Sequence, residues 1–247
     1  MSGHSKWATI KRKKSTTDAK RGKVFTTLIK EIMIAARDGG GDDSTNPRLR
    51  TAIAAAKAAN MPNENIKRAI QRGTGGLPGV HYEEVSYEGY GPGGVAVLVE
   101  CMTDNRQRTV SEIRHIFSKY NGSLAESGAV AWMFDTKGLF TIDKKSITEE
   151  ALMEHVLESD ADDMSDEGDV FDVTCSHKDF PSVQSYFEKK GIVVESAEIA
   201  KVPQSTVKVV GKDVRTLMKL MVALEELDDV QKIWANFDID ERDLEEE

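Results

Sequence analysis

The side chains best suited to chemistry in this chain are cations near its beginning, interleaved with hydroxyl groups and one tryptophan. Lysine and arginine can contact phosphate oxygens, serine and threonine can add hydrogen bonds, and an exposed indole can stack on an unpaired base. This mixture indicates contact with DNA or RNA, although a solvated tail with the indole docked on a helix has the same composition. The candidate contacts in this basic tail, residues 1–22, are Lys6, Trp7, Lys11, Arg12, Lys13, Lys14, Lys20 and Arg21.

Charge is divided unequally along the chain. Residues 1–76 hold 16 Lys/Arg against 6 Asp/Glu, a net charge of +10, and the remaining residues hold 17 against 36, a net charge of -19. A concentrated basic segment neutralises phosphates and releases their counterions, whereas an acidic segment repels them. The charge pattern therefore predicts that the N-terminal third of the chain faces nucleic acid.

Apolar residues at helical spacing predict three helices after the tail. The first starts near Ala19 and ends at three consecutive glycines, residues 39–41; the second starts at Asn46-Pro47, an N-cap followed by proline at the first helical position. The third covers Asn63 to Arg72 and ends at a glycine-rich linker. Residues 23–76 are therefore predicted to form a three-helix bundle. Its candidate nucleic-acid contacts are Lys23, Arg48, Arg50, Lys67, Arg68 and Arg72.

The acidic remainder begins with an alternating pattern that predicts a β-hairpin, in which Val85–Tyr90 and Val95–Cys101 are joined by residues 91–94. A helix from Arg106 to about Tyr120 follows. Arg106 and Arg108 lie in its first turn, where cations oppose the helix dipole, so with the free amides they form a possible anion site.

Further strands and helices alternate up to residue 238 in units too short for a large parallel sheet. We therefore predict an α+β multidomain protein: a helical bundle followed by two ferredoxin-like α/β sandwich domains, one inserted in the other. Residues 82–135 plus 204–238 form the first domain, residues 136–203 the inserted domain, and residues 239–247 an acidic tail. The predicted elements are strands 129–134, 139–142, 170–175, 192–199, 206–210 and 230–237, and helices 148–157, 181–190 and 213–227.

Motifs for catalysis and cofactor binding are missing from the sequence. There is no phosphate-binding loop, no GxSxG elbow, and no spacing of His, Cys and carboxylates suited to a metal, so we expect no enzyme activity, metal or cofactor. The acidic run at 160–169 is interpreted as a solvated loop, because Met164 and Ser165 stand where a calcium loop needs a carboxylate and a glycine. Cys101 and Cys175 are expected to be buried thiols. We also expect a cytoplasmic location, since no apolar stretch resembles a signal peptide or membrane span.

Several segments, in order along the chain, resemble the YebC/PmpR family. The departures from its pattern are small: Thr27 and Asp43 replace a more usual Lys and Pro, and residues 121–123 replace a more glycine-rich turn. The matching segments are residues 3–7, 10–11, 20–23, 46–50, 87–94, 103–106 and 128–134.

The resemblance implies a three-domain, non-enzymatic protein. Family members are named as probable transcriptional regulators that bind DNA, mitochondrial relatives are translational activators for cytochrome c oxidase, and bacterial relatives have been linked to stalled ribosomes. Two targets therefore stay open, duplex DNA and ribosomal RNA, and a third possibility is a module whose acidic domains bind a basic protein. Weak sequence specificity is expected on DNA, because no helix-turn-helix with a base-reading helix is evident.

Overall fold

The structure, a computed structural model, describes the backbone of residues 18–240 and the side chains of residues 22–240. Within these residues the chain forms a helical bundle, up to Gly76, and a larger part that we call the body, residues 82–240, which contains two four-stranded antiparallel sheets. None of the helices in this part of the chain has the length and apolar content needed to cross a membrane.

The bundle consists of α1 (Asp18–Gly39), α2 (Pro47–Ala58) and α3 (Asn63–Gly73). Its core contains buried aliphatic side chains from all three helices, including Ile32, Leu49 and Ile66. The predicted N-cap of α2 is confirmed, since Asn46 Oδ1 accepts a hydrogen bond from the Leu49 amide at 3.1 Å. Asn46 is itself buried and donates through Nδ2 to Ala35 O at 2.7 Å, which fixes the start of α2 to α1.

The first sheet of the body has the strand order β3-β1-β2-β9. Two helices, α4 (Arg106–Lys119) and α7 (Lys212–Glu226), supply Phe117 and Leu217 to a core shared with Val97 and Val99 of the central strand β2. The tight connection between β1 and β2 uses positive φ at two consecutive glycines, residues 93 and 94. The strands are β1 (Glu83–Tyr90), β2 (Ala96–Thr103), β3 (Ser123–Leu124) and β9 (Val230–Ala235).

The second sheet has the strand order β5-β6-β4-β7, and its elements all lie between residues 134 and 203 of the chain. Two helices, α5 (Glu149–Glu158) and α6 (Phe180–Lys190), contribute Leu152 and Phe187 to a core with Phe140 and Val173 of the sheet. Its strands are β4 (Phe134–Asp143), β5 (Asp163–Asp166), β6 (Val170–Ser176) and β7 (Ser196–Pro203).

The predicted strand 129–134 is wrong. Its place is taken by a 3-10 turn, Ala131–Met133, and the chain enters a single long strand, β4, at Phe134. The buried carboxylate of Glu88 explains the difference, because it accepts hydrogen bonds from the amides of Gly128, Val130 and Ala131 at 2.7, 2.7 and 2.8 Å. Burial alone would raise the pKa of Glu88, but these three hydrogen bonds outweigh it and lower the pKa below its ordinary value. Glu88, which is distant in sequence, thus occupies the amides that a strand would need for pairing.

Three other elements of the body differ from expectation. The acidic run contains β5, an edge strand that pairs with β6, and is therefore more than a solvated loop. The strand predicted at 192–199 starts later, at Ser196, because Ile192 and Val194 pack into the core beyond the end of α6. The strand predicted at 206–210 is the short β8 (Val207–Lys208), which pairs in parallel with β10 (Phe237–Asp238) outside the first sheet.

Candidate nucleic-acid interface

One side of the bundle is fixed to the body by three cations of α1. Lys23, Lys30 and Arg37 recur every seven residues, a spacing that places them along one stripe of a helix. Each donates to main-chain carbonyls of the body: Lys23 to Glu225 O and, at 2.6 Å, to Leu227 O; Lys30 to Met102 O and Asp228 O; and Arg37 to Tyr82 O. Lys23, a predicted nucleic-acid contact, therefore lies at the junction between the bundle and the body.

The centre of this junction is a buried ion pair. Lys30 Nζ lies 2.9 Å from Asp229 Oδ1, and the two side chains are only 5% and 7% exposed. Asp229 Oδ2 also accepts hydrogen bonds from Thr103 Oγ1, Thr109 Oγ1 and Arg108 Nη2, at 3.1, 2.8 and 2.8 Å. Burial would raise the pKa of Asp229, but the bonds from Arg108, Lys30 and Thr109 outweigh it and lower the pKa to about 2. The carboxylate is thus held ionised between the bundle and the body.

Arg48, another predicted contact, bridges the bundle and the body. Its guanidinium donates to Glu31 on α1, with Nε 2.7 Å from Oε1, and to Glu84 on β1, with Nη2 2.5 Å from Oε1. The bonds to Glu31 and then those to Glu84 raise the pKa of Arg48. Two carboxylates therefore already neutralise this cation.

The possible anion site at the start of α4 also carries carboxylates. Arg106 Nη2 lies 2.6 Å from Glu83 Oε2, and Arg108 Nη2 lies 2.8 Å from Asp104 Oδ1 and from Asp229 Oδ2. The Arg108 amide, one of the donors that an anion would use, bonds to the side chain of Asn105. The site stays a prediction, and an anion there would have to displace these partners.

The remaining bundle cations are exposed on α2 and α3. Arg50 donates to Ser44 O at 3.2 Å, and Arg68 lies 3.5 Å from Glu64 within the same helix. In the part of the chain that the structure describes, the side chains of Lys57, Lys67 and Arg72 make no hydrogen bond or ion pair. We call these five residues the outward cations: Arg50, Lys57, Lys67, Arg68 and Arg72.

Part of the predicted site lies outside the described residues. All the tail candidates up to Lys14 lie outside them. Lys20 and Arg21 lie in α1, but their side chains are not described. Sequence reasoning missed the contribution of Lys30 and Arg37 to the junction. Their seven-residue spacing from Lys23 was the available signal, but it does not show which partner the stripe faces.

Other reactive groups in the described part of the chain are buried or dispersed. Cys101 and Cys175 are buried free thiols, as predicted, and burial raises their pKa to about 12 and about 11. In residues 22–240 no group of three or more His, Cys, Asp or Glu side chains is arranged to hold a metal ion.

The fold and the site define a class: a mixed α+β protein in which a small bundle displays exposed cations and is joined to an acidic body by a buried ion pair. Comparisons identify the family. Residues 5–76 match the family model described as "TACO1/YebC protein N-terminal domain", and residues 82–237 match "TACO1/YebC second and third domain". The chain belongs to the TACO1/YebC family.

Similar proteins cover nearly the whole chain. It is 56% identical over 239 residues to a "probable transcriptional regulatory protein" of Desulforapulum autotrophicum, with 97% of both chains covered. It is 58% identical over 240 residues to a protein of the same name from Syntrophobacter fumaroxidans, covering 97% of this chain and 96% of the relative. The crystal structure of a conserved hypothetical protein from Aquifex aeolicus matches with a TM-score of 0.82 and 48% identity, covering 90% and 92% of the two chains.

Proposed function

We propose that this protein is a non-enzymatic regulator of gene expression that binds duplex DNA through the outward cations of its bundle, assisted by the basic tail. The observation that carries the proposal is the division of the bundle cations. One set bonds to carboxylates and carbonyls of the body, and the other set, exposed on α2 and α3, makes no hydrogen bond or ion pair with the described residues of the body. The names of the relatives support a role in transcription.

Charge explains why the bundle rather than the body would contact DNA. The body belongs to the part of the chain with a net charge of -19, so phosphates are repelled from it, whereas residues 1–76 carry +10. Lys30 and Asp229 hold the two parts in one orientation. The protein would therefore approach DNA with α2 and α3 in front and with the acidic body behind.

The two sheets of the body support our proposal for the division of the body into domains. The second sheet, with its four antiparallel strands and two helices on one face, fits a ferredoxin-like unit inserted as residues 136–203. Residues 82–135 and 204–238 would form the unit that receives it. That unit departs from the ferredoxin-like pattern, because β8 pairs with β10 and does not join the first sheet.

A DNA-binding titration of the full chain tests the proposed function. The variant Lys67→Ala/Arg68→Ala/Arg72→Ala removes three outward cations, and the control Lys178→Ala/Lys189→Ala/Lys208→Ala removes the same charge from exposed sites of the body. The logarithm of the binding constant falls with the logarithm of salt concentration by about 0.9 per neutralised phosphate, so the bundle variant should lose up to about three times that slope. The control should keep the slope of the unmodified protein.

Three results would overturn this proposal. The first is equal binding by the bundle variant and the control. The second is binding of structured ribosomal RNA without binding of duplex DNA, which would instead support a role in translation. The third is an absence of binding to either nucleic acid, which would favour a module that binds basic proteins through its acidic body.

A further inference from the structure

The connection between α2 and α3 is a turn of the length found in helix-turn-helix motifs. Four residues, Ala59 to Pro62, separate the two helices. Asn60 takes a φ of 59°, the left-handed conformation that a tight turn often assigns to glycine. The amides of Asn60 and Met61 donate to Lys57 O and Ala56 O, both at 2.9 Å, and the Met61 side chain is buried in the bundle core. The turn is therefore short, hydrogen-bonded and anchored.

The two helices expose different kinds of side chain. On α2 the exposed residues include three small ones, Ala54, Ala55 and Ala58, which permit close approach of another backbone. On α3 the exposed residues outside the buried Ile66 and Ala69 carry polar side chains. They form two rows at four-residue spacing, consisting of Asn63, Lys67 and Gln71 in one row and Glu64, Arg68 and Arg72 in the other.

We infer that α3 is a base-reading helix that enters the major groove of duplex DNA, while the small side chains of α2 face the sugar-phosphate backbone. This inference rests on the proposed function and changes our expectation of weak sequence specificity. In helix-turn-helix proteins the second helix lies in the major groove and its N-terminal residues contact base edges. Here Asn63 is the first residue of the second helix, and the exposed row continues through Lys67 to Gln71.

The side chains on α3 match the chemistry of base edges. Asn63 and Gln71 each carry an amide that can pair with N6 and N7 of adenine, and Arg68 can donate two hydrogen bonds to O6 and N7 of guanine. Eight residues separate Asn63 from Gln71, a rise of about 12 Å along the helix, and the major groove is about 12 Å wide. Lys67 and Arg72 would neutralise phosphates on either side.

Selection from a pool of randomised duplex DNA tests the inference with the full chain. The unmodified protein should enrich a short motif. Gln71→Ala and Asn63→Ala should each relax the preference at one position of that motif, by roughly 5-fold to 150-fold, because one good bidentate contact has this discriminating value. Lys57→Ala, which removes an exposed cation from α2, should weaken binding to all sequences and leave the motif unchanged. Both base-reading positions are exposed, so thermal unfolding of these variants should match that of the unmodified protein.

The outcomes separate this inference from the proposed function. If the protein binds DNA but enriches no motif, or if Gln71→Ala and Asn63→Ala leave the motif unchanged, the base-reading role of α3 is overturned and the DNA-binding function remains. If the unmodified chain binds no duplex DNA at all, both proposals are overturned together.

Discussion

Two sets of cations on one small bundle differ in what surrounds them. Lys23, Lys30, Arg37 and Arg48 contact carbonyls and carboxylates of the body, and Lys30 is almost fully buried there. The outward cations lie on α2 and α3, exposed to solvent. Both sets consist of lysine and arginine, so residue type does not distinguish them. What distinguishes them is whether the fold places a carbonyl or carboxylate of the body beside the cation. It yields four predictions, which differ in their expected effect on stability.

The largest effect is expected at the buried pair. Lys30→Met leaves the carboxylate of Asp229 buried without its ammonium partner, and breaking such a pair from one side costs about 3–5 kcal/mol of the free energy of unfolding. Urea denaturation measures this loss. Lys67→Met, the same change at an outward cation, should stay within about 0.5 kcal/mol. Equal effects of the two substitutions would remove the structural distinction between the two sets.

Acid should weaken the same junction. The folded state holds the pKa of Asp229 at about 2, below its ordinary value of 3.8, so its stabilisation is present above pH 4 and is lost as the pH falls towards 2. This difference in the pKa of Asp229 between the folded and unfolded states corresponds to roughly 2 kcal/mol of the free energy of unfolding. Denaturation at a series of pH values should show this decrease in the unmodified protein and a smaller one in Asp229→Asn. Parallel pH profiles would contradict the role of Asp229.

A smaller effect is expected at Arg48, which is paired at the surface. Its partners Glu31 and Glu84 are partly exposed, and solvent-exposed ion pairs contribute below about 1 kcal/mol. Arg48→Ala should therefore reduce the free energy of unfolding only slightly. It should also leave the salt dependence of DNA binding unchanged, because this cation is already neutralised. A reduced salt dependence would place Arg48 among the DNA contacts.

The smallest effect on stability is expected for Lys67→Ala, which should nevertheless weaken DNA binding clearly. Lys67→Ala removes an exposed side chain that has no partner in the described part of the protein, so the free energy of unfolding should change by less than about 0.5 kcal/mol. Affinity for duplex DNA should nevertheless fall for all sequences, and the salt slope should decrease by about one. The same titration with Lys178→Ala, on the body, provides the reference. Unchanged binding by Lys67→Ala would weaken the assignment of the outward cations.

Local signals predicted the bundle well, and long-range contacts explain where the prediction of the body failed. Asn46-Pro47 marks the start of α2, and glycines follow the end of α1, because caps and helix stops depend on residues that are neighbours in the chain. The segment before β4 depends instead on Glu88, which is 40 residues away from Gly128. The acidic strand β5 has little apolar alternation, since it is an edge strand defined by its pairing with β6.

The candidate site, like the body, could be predicted from the sequence only in part. Its cations were identified from sequence, but Lys23 and Arg48 were grouped with Lys67 and Arg72, although the structure gives only the first two partners in the body. Asn63 and Gln71, which we infer to contact bases, were not among the predicted contacts, because their exposure after an anchored four-residue turn becomes evident only in the folded bundle.

The amino-acid sequence by itself determined the family, the separation of basic from acidic parts, and the helices of the bundle, since each of these follows from composition or from residues close together in the chain. Only the tertiary structure decided which cations are free. Lys30 and Asp229 are 199 residues apart in sequence, and they meet because the bundle packs beside the loop between α7 and β9. Burial and hydrogen bonding at that contact, rather than the number of charges, separate the cations that join the bundle to the body from those exposed to solvent.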